Sequence, residues 1–222
     1  MIQFINEEVQ QFLISKMSCN SDMLDKLRLK SESENVPIIH KDVENFLKLI
    51  IKMKKMNSVL EIGTAVGYSA LMFSEVIPDG KITTIERYDK MHMKAKKNIS
   101  GFNKEDQIEI LFGDAADILK NNITMKYDLV FIDAAKSHYR EFFELSLKHL
   151  NDGGVIISDN VLFKGRIVND KYVEKRNRTI TKNMRNYLEF INQSPYFSTI
   201  LPIGDGLSIT MIEEKKQLWI IM

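Results

Sequence analysis

The sequence predicts an α/β fold: a doubly wound, mostly parallel sheet with helices on both faces, entered through an N-terminal helical cap. Three observations carry this reading. From residue 58 onward, short β-branched runs alternate with longer amphipathic ones. The first such run, Val59-Leu60-Glu61-Ile62, leads straight into a glycine turn and a helical pattern. The last two apolar runs are separated by Ile203-Gly204-Asp205-Gly206, whose Asp-Gly pair signals a tight reversal.

Residues 1–35 carry apolar side chains at helical spacing, among them Val9, Phe12, Leu13, Met23, Leu24, Leu27 and Leu29, and read as two short helices. Val36-Pro37-Ile38-Ile39 breaks the pattern, because proline drives its predecessor into extended geometry. A new amphipathic stretch covers Lys41 to Lys54. Strands are then expected at Ser58–Ile62, Lys81–Ile85, Gln107–Leu111, Asp128–Ile132 and Val155–Ser158, with helices near 67–76, 88–100, 115–120 and 136–149. Phe197–Pro202 and Leu207–Ile212 form a closing antiparallel hairpin. The 222 residues contain neither a repeat nor a flexible linker. One domain is therefore expected over 1–222: a cap at 1–55, a Rossmann-like core at 56–214 and a tail at 215–222.

Composition narrows the function classes. With 31 Lys+Arg against 30 Asp+Glu, the net charge of +1 excludes a protein that binds polyanions through overall charge. The single cysteine, Cys19, excludes an intramolecular disulfide and a Cys-rich zinc site. No apolar run is long enough to span a bilayer, and the N-terminus has no leader pattern, so a cytoplasmic protein without membrane contact is expected.

The turn Gly63-Thr64-Ala65-Val66-Gly67-Tyr68-Ser69 opens a helix after the first strand. Glycines at 63 and 67 let the backbone approach a ligand, and the free amides of the helix start face it. The spacing is neither that of a phosphate-binding P-loop nor that of the dinucleotide fingerprint. A plain strand-to-helix turn would also account for two glycines. Glu86 ends the second strand, where a carboxylate can accept hydrogen bonds from both ribose hydroxyls of a nucleoside. Gly113-Asp114-Ala115 follows the third strand; Asp114 can accept from an adenine amino group, and small Ala115 leaves room for the ring. A helix cap is an equal alternative for Asp114.

Taken together, the loop, Glu86 and Gly113-Asp114-Ala115 resemble the S-adenosylmethionine site of class I methyltransferases. Within that class the order is similar to the cation-dependent O-methyltransferases that include the catechol and caffeoyl-CoA enzymes. The resemblance covers about Val36 to Met211. It implies a seven-stranded sheet whose last strand is reversed, a homodimer, and a cofactor set of Ile39, Glu61, Gly63, Thr64, Gly67, Tyr68, Ser69, Glu86, Asp114, Ala115 and Asp133. Ile39 stands where plant enzymes of the family carry a hydroxyl residue.

Asp133 closes the fourth strand, and Asp159-Asn160 closes the fifth. Two carboxylates and a carboxamide at one sheet edge form a hard oxygen set suited to Mg²⁺. Lys136 follows Asp133 by three residues. A nearby divalent cation would disfavour its ammonium form, which makes Lys136 a candidate general base, with a solvated helix-start lysine as the alternative. The resemblance implies the same role, since catechol O-methyltransferases carry a lysine at this offset. Lys136 and Asp133 are thus the catalytic candidates.

Residues 164–185 hold eight basic and two acidic side chains, a local +6 beside the metal motif. Such a stretch either steers a polyanion or is a solvated helix face. Asp159-Asn160-Val161-Leu162-Phe163-Lys164-Gly165-Arg166, the basic stretch after it and Pro202-Ile203-Gly204-Asp205-Gly206-Leu207 are similar to a bacterial subgroup that methylates 5-hydroxyuridine at the tRNA wobble position. That similarity implies a tRNA anticodon loop as substrate and Lys164, Arg166, Lys175, Arg176 and Arg178 as RNA contacts. His138, Tyr139 and Phe163 are candidates to line a base pocket. A small catechol or phenol is the competing substrate, and a nicotinamide-dependent oxidoreductase the competing class.

Overall fold

The computed structural model describes residues 6–193 and 195–212; the expected tail at 215–222 lies outside them. Two helices open the described chain, α1 (Glu7–Ser15) and α2 (Asp22–Ser33), followed by α3 (Lys41–Lys54). Ser21 caps α2 by accepting the Leu24 N–H at 3.2 Å. Strands and helices then alternate: β1 (Ser58–Ile62), α4 (Tyr68–Val76), β2 (Lys81–Glu86), α5 (Asp89–Gly101), β3 (Ile108–Phe112), α6 (Ala115–Asn121), β4 (Tyr127–Ile132), α7 (Tyr139–Ser146) and β5 (Leu150–Ser158). After α8 (Arg178–Ile191), the hairpin of β6 (Tyr196–Leu201) and β7 (Leu207–Ile212) ends the described chain.

The sheet has seven strands in the order β3-β2-β1-β4-β5-β7-β6. β1 to β5 pair in parallel, while β7 runs antiparallel to both β5 and β6, the expected reversed strand. Side-chain alternation along each strand divides the core in two. Val59, Leu129, Phe131, Val155 and Ile157 face Leu24 and Leu27 of α2, Val43, Leu47 and Ile51 of α3, and the apolar side of α4. Leu60, Ile62, Val130, Ile132 and Ile156 face α6, α7 and α8.

Three local expectations differ from the structure. The stretch 136–149 divides into a 3-10 turn at Lys136–His138, α7, and a second 3-10 turn at Leu147–His149. Strand β5 begins at Leu150 instead of Val155, because Leu150 pairs with Tyr127 before the register shifts and Val155 pairs with Leu129. Helix α8 begins inside the basic stretch and runs past it to Ile191. It forms because Thr181, Met184, Leu188 and Ile191 recur at helical spacing and are buried.

Strand register sets where the loops emerge. Ile62 is level with Ile85 and Ile132, and Ile132 with Ser158. The ladder runs one residue further at each end, with the N–H groups of Gly63, Gly113, Asp133 and Asp159 donating to Ile85, Glu86, Ile62 and Ile132, each at 3.0 Å. The chemistry-bearing residues therefore leave the sheet along one edge, at the carboxyl ends of the parallel strands.

Candidate active site

A cavity of about 990 Å³ opens at this edge. Ile39, Gly63, Thr64, Tyr68, Ser69, Glu86, Asp114, Ala115 and Asp133 of the expected cofactor set line it, as do Lys136, Asp159, Asn160, Phe163 and Lys164. One half is nucleoside-sized and built on β1, β2 and β3. Glu86 is buried and already oriented: one carboxylate oxygen accepts the Ala65 N–H and the other the Tyr88 N–H, both at 2.8 Å. A carboxylate has about four acceptor positions, so capacity remains for hydroxyls. Asp114 caps α6 by accepting the Ala116 N–H at 2.9 Å with one oxygen, leaving its second oxygen free of that duty. Both readings offered for Asp114 are thus compatible.

The other half is acidic. Asp159 is 1% exposed. One of its oxygens accepts the Asn160 N–H at 2.6 Å; Oδ2 is buried without a hydrogen-bond partner. Burial and then the neighbouring Asp133 push the Asp159 carboxyl well above the usual range. Burial also raises Asp133, against the opposing pull of Lys136 and His40. Lys136 Nζ donates to Asn160 Oδ1 at 3.1 Å. Asn160 itself sits at φ +54°, a left-handed geometry that asparagine tolerates better than most residues. Tyr139 locks this corner from below by donating its hydroxyl to the Asp159 carbonyl at 2.9 Å.

An orphaned carboxylate oxygen beside a second, half-buried carboxyl suits a hard divalent cation, which would balance charge at an oxygen that water does not reach. Among the described residues no three His, Cys, Asp or Glu side chains cluster closely enough to hold a metal. Any third protein donor here is the carboxamide of Asn160.

Comparison with known proteins agrees with this geometry. A family model described as O-methyltransferase matches residues 14–213. The chain belongs to the O-methyltransferase family. Among solved structures, a candidate caffeoyl-CoA O-methyltransferase from Staphylococcus aureus superposes with a TM-score of 0.82 at 35% identity, over 93% of this chain and 96% of that one. An O-methyltransferase from Bacillus cereus in complex with SAH gives 0.81 at 26% identity, over 93% and 97%. A catechol O-methyltransferase of Niastella koreensis is 34% identical over 134 residues, 58% of this chain and 60% of that relative's length.

In this O-methyltransferase several expected contacts fall elsewhere. Glu61 is fully buried under the glycine loop and does not line the cavity; its carboxylate accepts the hydroxyls of Ser69 and Thr84, and Thr64 contacts Thr84 at 2.6 Å. It supports the loop from behind. Gly67 also lies outside the lining: it starts α4 at φ +82°, and a Cβ there would come within 3.4 Å of the Ala95 Cβ. The left-handed backbone accounts for that glycine, since a Cβ would make only ordinary contact with α5. Tyr139 is core, 1% exposed, and His138 is solvent-exposed beside Glu141, and neither lines this cavity. Of the expected RNA contacts only Lys164 reaches the cavity. Arg166 and Arg176 both pair with Glu174, while Lys175 and Arg178 are exposed and form no ion pair among the described residues.

Other site residues were not singled out in the sequence, Asp205 being legible there only as part of a turn. Asp205 and His40 line the acidic half. A buried cluster behind the site joins cap to core. Arg28 of α2 donates to Glu44 of α3, to the Tyr68 hydroxyl at 3.0 Å and to the Ile39 carbonyl at 3.2 Å. Lys48 donates to the other Glu44 oxygen at 2.6 Å. These partners lie up to 40 positions apart, beyond the reach of any spacing rule.

Proposed function

We propose that this chain is an S-adenosylmethionine-dependent O-methyltransferase that holds Mg²⁺ at Asp133, Asp159 and Asn160 and methylates 5-hydroxyuridine at tRNA wobble position 34, yielding 5-methoxyuridine. The observation that carries the reaction class is the shared cavity, with a ribose-type carboxylate at one end and, at the other, Asp133 beside Asp159, whose Oδ2 is buried without a hydrogen-bond partner. When bound, the donor supplies an electrophilic methyl group and the cation stabilises negative charge on an acceptor oxygen.

The chain's own groups would do the rest. Glu86 and Asp114 orient a nucleoside, and the amides at the start of α4 face the donor's charged end. Lys136, whose Nζ is hydrogen-bonded to Asn160 at the acidic end, would in its neutral amine form receive the proton that leaves the acceptor hydroxyl. Buried Tyr139 and the strand ladder fix the orientation of Asp159, so that an oxygen nucleophile and a methyl carbon can be held in line.

The tRNA reading is supported by exposed Lys164 on the cavity lining and by exposed Lys175 and Arg178, which form no ion pair among the described residues. The second reading, a small catechol or phenol acceptor, is favoured by the names of the catechol and caffeoyl-CoA relatives. Mass analysis of nucleosides decides between them, after incubation of the protein, S-adenosylmethionine and Mg²⁺ with tRNA carrying 5-hydroxyuridine. Appearance of 5-methoxyuridine, inhibited by salt, supports the tRNA substrate. Salt-insensitive methylation of catechol with unchanged tRNA refutes it.

A further inference from the structure

We infer that Asp205 is a positioning residue for the acceptor end of the cavity: its carboxylate accepts the Lys164 N–H and thereby holds Phe163 and Lys164 in the left-handed turn that faces the site. The inference rests on the O-methyltransferase reading only for its kinetic part. Phe163 and Lys164 sit at φ +47° and +55°, consecutive non-glycine residues in a region that side chains disfavour, and both line the cavity. A bulky residue persists there only when its surroundings determine it.

Those surroundings are the β6–β7 turn. The Val161 N–H donates to the Gly206 carbonyl at 2.9 Å, the Leu162 N–H to the Asp205 carbonyl at 3.0 Å, and the Lys164 N–H to Asp205 Oδ1. The turn cannot yield in the other direction. The Gly204 N–H donates to Asp42 Oδ2 of α3 at 2.9 Å. A Cβ at Gly204 would meet Val43 at 2.6 Å, and one at Gly206 would meet Leu162 at 2.3 Å. The turn is therefore wedged between the cap and the loop after β5. Of the three bonds that the turn makes to the loop after β5, only the one accepted by Asp205 Oδ1 involves a side chain, so a substitution there deletes it while the two backbone bonds remain.

The test uses the full chain. Without ligand, amide exchange of Lys164 is followed by NMR, with Leu129 of β4 as the control for global folding. Asp205→Ala should accelerate exchange at Lys164 about tenfold, and Asp205→Asn, which keeps an acceptor oxygen, should leave it near wild type. Unchanged exchange in Asp205→Ala, or acceleration in Asp205→Asn, overturns the inference whatever the substrate proves to be.

With 5-hydroxyuridine tRNA or catechol as acceptor, Asp205→Ala should raise the acceptor KM about tenfold and leave S-adenosylmethionine affinity within about twofold. Measured against Lys164→Gly, the same Asp205→Ala change should cost under about threefold, because glycine adopts the left-handed geometry without help. An equal cost in both backgrounds means that Asp205 acts on the acceptor directly, and overturns the positioning role. If neither acceptor is methylated, the proposed function fails while amide exchange still decides the role of Asp205.

Discussion

Replacing Arg28 with methionine tests how far the buried cap-to-core cluster governs both stability and the cofactor end of the cavity. The Arg28 and Glu44 side chains are 11% and 2% exposed. Burial alone would raise Glu44, yet hydrogen bonds from Lys48, Tyr68 and Arg28 hold its carboxyl below the usual range, so it is ionised. Removing one member of a buried ion pair costs about 3–5 kcal/mol, since the other charge stays behind. Glu44 would retain Lys48 at 2.6 Å and the Tyr68 hydroxyl at 2.7 Å, which places Arg28→Met at the lower end, about 3 kcal/mol. For a domain of this size that lowers Tm by roughly 6–12 °C. The substitution also removes a donor from the Ile39 carbonyl, so S-adenosylmethionine affinity should fall with stability. Urea denaturation and titration calorimetry read the two effects. The triple variant Arg28→Met/Glu44→Leu/Lys48→Met should recover more than half of the lost stability, because Lys48, 14% exposed and paired with Glu44, is removed with its partner and no lone charge remains inside. A loss below about 1 kcal/mol in the single variant, or a triple variant no more stable than the single, would refute the reasoning.

Three further outcomes are expected. Lys136→Met should cut turnover by about a hundredfold or more with little change in S-adenosylmethionine affinity, a pattern checked by single-turnover kinetics; wild-type turnover would remove Lys136 from the mechanism. Mg²⁺ should raise Tm, and by more at pH 8 than at pH 6. Burial raises Asp133 and Asp159 in the fold, so protons compete with a cation there more strongly as pH falls; an equal shift in Asp159→Ala would show that the ion binds elsewhere. Burial lifts the Glu61 carboxyl to about 8 against the opposing hydroxyls of Ser69 and Thr84. The folded chain thus keeps a proton that the unfolded chain releases near 4.5, and stability falls as pH rises from there toward 8. Urea midpoints of Glu61→Gln should decline less over that window than those of wild type, and parallel profiles would contradict the assignment.

The sheet was legible because β-branched alternation and glycine turns are local signals. Ser58–Ile62 and Lys41–Lys54 coincide with β1 and α3. Strand-end register then brought Glu86, Asp133, Asp159 and Asn160 to one edge, as the parallel order requires. Helix α8 was masked by its own charge: the Lys/Arg count drew the reading while Met184, Leu188 and Ile191 carried the periodicity. The division of labour in the glycine loop was also hidden. Pattern alone cannot separate a glycine that faces ligand from one that packs on Ala95, nor a carboxylate in the cavity from Glu61 behind it. The Arg28 cluster and the Asp205 clamp depend on partners that only folding makes neighbours.

Gly63 has a consequence for how such a protein can change. A Cβ there would lie 2.1 Å from the Asp133 carbonyl oxygen, and the backbone is at φ +109°. Any larger residue must pry the ends of β1 and β4 apart, moving the donor-side loop and the acid corner in one stroke. Drift in acceptor preference is thereby channelled into the outer rim, where the side chains of Phe163 and Lys164 can vary without moving the junction between the two halves.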